Sequence, residues 1–136
     1  MNKTNEDYIE EFHKAFGVSI KENPSIKILK LRKTLIDEEV KEFFIELDSM
    51  IKKLEKGEEI PKGDFEKALA EMADIQVVLS GTAVAIKQFE NFREAFLRKH
   101  KSNMSKLGED GKPILREDGK ILKGPNYKEA DLSGLI

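Results

Sequence analysis

Three glutamates, Glu38, Glu39 and Glu42, fall close together in the chain, and a second acidic pair, Glu71 and Asp74, follows further on. On an α-helix, residues three and four apart share a face, so Glu42 lies on the side of both Glu38 and Glu39, and Glu71 lies beside Asp74. Like charges crowded in this way repel one another unless a counter-ion joins them. Hard divalent cations suit the role: Mg²⁺ and Mn²⁺ prefer oxygen ligands, and Mg²⁺ takes a few carboxylates while leaving positions for water and phosphate oxygens. A cation so held neutralises phosphate charge, and a neighbouring carboxylate can take a proton from an attacking water. The pattern predicts a metal site built from two helices.

The plainer alternative is a solvated acidic surface, since 37% of the residues are charged and ExxE or ExxD alone is weak. Two features set these acids apart. They are embedded in apolar sequence, LIDEEVKEFFIEL around the first set and ALAEMADIQVVLSG around the second, where carboxylates are costly unless paired or metal-bound. The two sets also fall on successive helices of similar character, which can face each other.

Those helices are legible from spacing and punctuation. Thr4 with Asp7 forms a capping pattern, and Tyr8, Phe12, Ala15 and Phe16 recur at helical spacing until Gly17, predicting a short first helix. Ser25 is the expected N-cap of a second helix running from Ile26 to about Lys56, with apolar residues from Leu29 to Leu54 every three or four positions and Gly57 closing it. It is roughly 45 Å long at 1.5 Å per residue and carries the first acidic set. After the loop KGEEIPKG, Asp64 is the expected cap of a third helix reaching about Ile86. The second half of that helix, IQVVLSGTAVAI, is apolar almost all round, which predicts burial on several sides and a subunit interface. Phe89, Phe92 and Phe96 place an aromatic core stripe on a fourth helix ending near His100. His13 reads as the edge of a core stripe, and neither histidine is assigned as a metal ligand.

The last 36 residues change character, holding five of the nine glycines and two of the four prolines, so a loop-rich tail is expected. Asp118-Gly119 between two short apolar runs predicts a two-residue hairpin. Lys101, Asn103 and Lys106, with Lys120, Lys123, Asn126 and Tyr127 further on, offer cations, amides and a ring suited to phosphate or a nucleobase. Ser102 and Ser105 in the same HKSNMSK segment add hydroxyls.

Composition bounds the remaining choices. The 136 residues are expected to form one domain, 24 Lys and Arg against 26 Asp and Glu give a net charge of −2, and no cysteine occurs. A broad basic surface for nucleic acid is therefore not expected, and disulfides and thiolate metal sites are excluded. The polar, acidic N-terminus is unlike a signal peptide, and no apolar run is expected to reach membrane-spanning length, so a cytoplasmic protein is the expectation.

The segments LRKTLIDEEVKEF, ALAEMADIQVVLSGTA and HKSNMSK…DGK…KGPNY together resemble the phosphoribosyl-ATP pyrophosphohydrolase-like branch of the MazG-like, all-α nucleoside triphosphate pyrophosphatases, from about Phe12 to Leu132. That family's EExxE…ExxD pattern is matched with residues 43–70 intervening, 28 in number, at the long edge of its range. The resemblance implies an all-α bundle of four to five helices, a helical core over about 4–100 and a substrate-closing tail over about 101–136. It implies α–β cleavage of a nucleoside triphosphate, dUTP being one example, to the monophosphate and pyrophosphate. It also implies Mg²⁺ or Mn²⁺ on Glu39, Glu42, Glu71 and Asp74, Glu38 as the group acting on the attacking water, and a homodimer or homotetramer. The roles of Glu38 and Glu39 could be exchanged. Arg32 is a further phosphate candidate, with an ordinary surface arginine as its alternative. The rival readings are the phosphoribosyl-ATP reaction of histidine biosynthesis and a helical binding module without chemistry.

Overall fold

A computed structural model describes residues 2–136, and they form four α-helices with no strand, so the chain is all-α. The helices are α1 (Asn5–Phe16), α2 (Ile26–Glu55), α3 (Lys62–Ala85) and α4 (Phe92–Met104). Two compact units result, Met1–Glu90 and Asn91–Ile136, so α4 groups with the tail, whereas the sequence reading set the change of character near residue 100.

In the first unit, the ends of α1 follow from local chemistry. Thr4 and Asp7 exchange side-chain to backbone hydrogen bonds in a capping box, and Gly17 ends the helix at φ 68°, a left-handed conformation that costs glycine little. Ser25 caps α2 by accepting from the Ile28 N–H. The start of α3 differs from expectation: Pro61 holds the N-cap position, no side chain caps it, and Asp64 lies inside the first turn, where it pairs with Lys53 of α2. The carboxylate favours the positive end of the helix from there without capping it.

Both α1 and α2 pack on α3. The buried face of α1 is Ile9 and His13, while Tyr8, Phe12 and Phe16 of the expected stripe are exposed, with Phe16 73% accessible. The C-terminal half of α3 is buried from Val78 through Ala85 at all but Leu79 and the half-buried Thr82, yet Phe65, Leu69 and Met72 in its first half face outward. The loop before α2 pins the end of α3, with Lys21 N–H donating to the Val84 carbonyl (2.8 Å) and Lys87 N–H to the Glu22 carbonyl (2.9 Å). By length and mean hydropathy (1.3), α3 is long and apolar enough to cross a membrane. This corrects the expectation that no run approaches that size. Between residues 68 and 85 the only charges are Glu71 and Asp74, and Val, Leu and Ile with five alanines supply the hydropathy.

In the second unit, α4 runs four residues past the expected end, so Lys101 and Asn103 belong to its last turn. On α4 Phe92 is half-buried and Phe96 exposed, and Phe89, in a single 3₁₀ turn at the end of the first unit, is exposed, so none of the three is a fully buried core residue. The tail is no loose end. It returns antiparallel along α4: Lys128 bonds to Ser102 and Ser105, the carbonyls of Asp131 and Ser133 accept from Arg98, and the Leu135 carbonyl accepts from Asn91. The predicted hairpin forms around an antiparallel bridge between Leu115 and Ile121. Its loop has three residues instead of two, because Gly119 N–H bonds back to the Arg116 carbonyl (2.9 Å) and Gly119 takes φ 88°, the bulged turn favoured for loops of that length.

Candidate metal centre

The α2–α3 pair is antiparallel, and three sets of side chains meet along its seam. At one end Arg32 of α2 meets Val78 and Thr82 of α3; at the other Lys53 meets Asp64. Between these ends Glu39 and Glu42 fall opposite Glu71, and carboxylate oxygens of the three lie within 4.8 Å of one another. Asp74 is not among the three, but its charge acts on both Glu39 and Glu71. Glu38 is exposed and lies outside the group.

The electrostatics are those of an uncompensated cluster. Partial desolvation, then the charges of Glu42 and Asp74, raises the Glu39 carboxyl above the ordinary carboxylate value. The Glu71 carboxyl is raised by desolvation first, then by a hydrogen bond to Glu42 and by the charges of Glu42, Asp74 and Glu46. Among the described residues no ion pair involves Glu39, Glu42, Glu71 or Asp74; the nearby Lys41 is drawn instead to Asp37 at 2.7 Å. Oε2 of Glu39 and Oε2 of Glu71 are buried without any hydrogen-bond partner. Buried polar atoms ordinarily have partners. An all-oxygen set with two buried, unpartnered oxygens fits a hard divalent cation.

Sequence reasoning missed Glu46. It is half-buried one turn beyond Glu42, and its charge reaches Glu71. The signal was present, since Glu38, Glu42 and Glu46 continue at i, i+4.

Arg32 is 5% exposed, its Nε donates to Thr82 Oγ1 (3.1 Å), and its Nη2 donates to the Val78 carbonyl (2.9 Å). Burial lowers its pKa. Beside it, buried His13 donates from Nδ1 to the Ser19 carbonyl (2.8 Å), which leaves Nε2 as the acceptor nitrogen. Burial depresses the His13 pKa most strongly, the Ser19 bond opposes it in part, and the Arg32 charge adds a smaller depression.

The remaining candidates, Lys101, Asn103, Lys106, Lys120, Lys123, Asn126 and Tyr127, all lie in the second unit. Gly124 presses onto the carbonyls of Lys106 and Leu107, where a Cβ would have no room, and this seats the KGPNY segment at the end of α4. Lys123 lies over the Tyr127 ring, 4.8 Å from its centroid, and Lys120 sits in the hairpin. Lys101, Asn103 and Asn126 are exposed. Ser102 and Ser105 are engaged with the tail backbone. Fold and site together define an all-α protein with a two-helix carboxylate cluster. No protein-family model matches the chain, and no curated protein matches it in sequence.

Proposed function

We propose that this chain is a MazG-like nucleoside triphosphate pyrophosphohydrolase, cleaving the α–β linkage of a (d)NTP such as dUTP to the monophosphate and pyrophosphate. The observation that carries the reading is the convergence of Glu39, Glu42 and Glu71, from two helices, with two buried oxygens lacking partners. Glu39, Glu42 and Glu71, with Asp74, would hold Mg²⁺ or Mn²⁺. A cation bound there would offset the phosphate charge and favour attack by water.

The chain's own residues have distinct tasks in this reading. Glu38, exposed next to the cluster in sequence, accepts the proton of the attacking water. Lys101, Asn103, Lys106, Lys120, Lys123, Asn126 and Tyr127, all of the second unit, are the groups suited to phosphates and a base. Exposed apolar side chains, among them Phe12 and Phe16 on α1, Phe44 on α2 and Leu69 on α3, support a homodimer or homotetramer that covers them. On this reading α3 is a core and interface helix of a cytoplasmic enzyme.

The test is product analysis with a panel of canonical and modified NTPs and dNTPs in Mg²⁺ or Mn²⁺. Monophosphate and pyrophosphate should appear in equal amounts and stop with EDTA. No turnover by a folded, metal-bound protein would overturn the reading, and phosphoribosyl-ATP is the next substrate to assay.

A further inference from the structure

Arg32 presents an anomaly that the metal centre alone does not explain. Its guanidinium is buried at the junction of three helices, yet among the described residues it has no carboxylate partner. A buried charge of this kind costs stability relative to an apolar side chain. Both of its hydrogen bonds cross from α2 to α3, one to a side chain and one to a backbone carbonyl that also accepts from Thr82 Oγ1. The helix α3 is shaped to receive it: a Cβ at Gly81 would come under 3.0 Å from Nη2 and 3.2 Å from His13 Nε2.

The placement along the seam gives this contact its meaning. Arg32 and Glu39 are seven residues apart on α2, two turns on one face, and Val78 is seven beyond Glu71 and four beyond Asp74 on α3. A slip or rotation of α2 on α3 at Arg32 therefore moves Glu39 and Glu42 away from Glu71. Apolar packing tolerates such slips better than two directed hydrogen bonds from a rigid planar fork.

We infer that Arg32 is a positioning residue: seated on Gly81 and bonded to Val78 and Thr82, it sets the register of α2 on α3 that brings the carboxylates together. The inference rests on the metal-centre reading for its functional consequence. Arg32 acts through geometry, so a plain positive charge does not replace it.

The test uses the full chain with Arg32→Lys, Gly81→Ala and the two combined. Mn²⁺ binding is followed by electron paramagnetic resonance, and helicity and thermal unfolding are measured without metal. The absence of cysteine also allows nitroxide pairs through Lys33→Cys and Lys67→Cys, both at exposed positions, to report the α2–α3 distance. Each single substitution should weaken Mn²⁺ binding roughly tenfold or more, as loss of groups that orient ligands does, and should shift or broaden the distance while helicity is retained. The double variant should lose less than the two single losses combined, because lysine has no Nη2 to meet the new Cβ and only the milder approach to His13 Nε2 remains. Wild-type affinity and distance in Arg32→Lys, or additive losses in the double variant, would overturn the inference. Gly81→Ala keeps the arginine, so it decides the matter if Arg32→Lys does not fold. A wild type that binds no Mn²⁺, with the distance change still present in the variants, would sink the metal reading and leave the register role standing.

Discussion

Ser102 donates its hydroxyl to the carbonyl of Lys128 at 2.7 Å, and the Lys128 N–H donates in turn to Ser105 Oγ at 2.9 Å. The two serines of the HKSNMSK segment thus bind the chain's own backbone. They hold the returning tail on α4 and so place Lys123, Asn126 and Tyr127 near the end of that helix.

Removing both hydroxyls, Ser102→Ala with Ser105→Ala, should release the tail. Each neutral hydrogen bond contributes about 1 kcal/mol net, and the Lys128 carbonyl also loses its partners. Limited proteolysis between residues 106 and 128 should become several-fold faster, with far-UV helicity nearly unchanged. Wild-type resistance would show that Asn91, Arg98 and Gly124 hold the segment without the two serines.

Glu42 and Asp74 both perturb Glu39 and Glu71, and of the two Glu42 has the larger effect on each. Glu42→Gln should therefore raise the melting temperature of the metal-free protein, while abolishing turnover and most Mn²⁺ binding. Glu38→Gln should lower turnover and keep more of the affinity, since Glu38 lies outside the cluster. Equal loss of affinity in both would reject the assignment of Glu38 as the group acting on water.

Addition of Mn²⁺ should stabilise the wild type in a concentration-dependent way. Binding to the folded state alone yields about 2.7 kcal/mol at a hundred times Kd. Differential scanning fluorimetry across a Mn²⁺ series should show the rise for the wild type and not for Glu42→Gln.

Two opposite pH effects are expected without metal. Neutral His13 has a pKa depressed below 6.5, so its contribution is complete above the unfolded-state value and is lost as pH falls from there toward the lower folded value. The carboxyls of Glu39 and Glu71 are raised above 4.5, so their repulsion is fully present at neutral pH and is relieved as pH falls through the folded values. Urea unfolding at pH 7.5, 6 and 5 separates the two. His13→Gln should lose less stability than the wild type between the first two pH values; parallel curves would remove His13 as the cause.

Much of the first unit was legible because local rules decide it. Thr4, Ser25 and Gly17 mark helix ends through groups within three or four residues of themselves, and the facing acids follow from helical spacing. What was missed depends on partners distant in sequence. Arg32 reads as a phosphate candidate or an ordinary surface arginine until Val78, Thr82 and Gly81 are placed against it. Asp64 reads as a cap until Lys53 draws it into a pair. The tail reads only as loop-rich because its bonds to α4 join residues 23 to 44 positions apart, which no local pattern announces. The α1 stripe misled for another reason: aromatics at helical spacing mark a face that will be covered, and within this chain the covered face is Ile9 and His13.

The returning tail also decides where the molecule can be extended or labelled. Its Leu135 carbonyl is tied to Asn91 at the start of α4, so a protein fused after Ile136 would be planted beside the first turn of that helix and would strain the last anchor. The hairpin tip at Glu117, Asp118 and Gly119 is exposed, and its hydrogen bonds join only residues within the hairpin. A fluorophore or short epitope inserted there would be carried at the end of a small arm, leaving the backbone that binds α4 as it is.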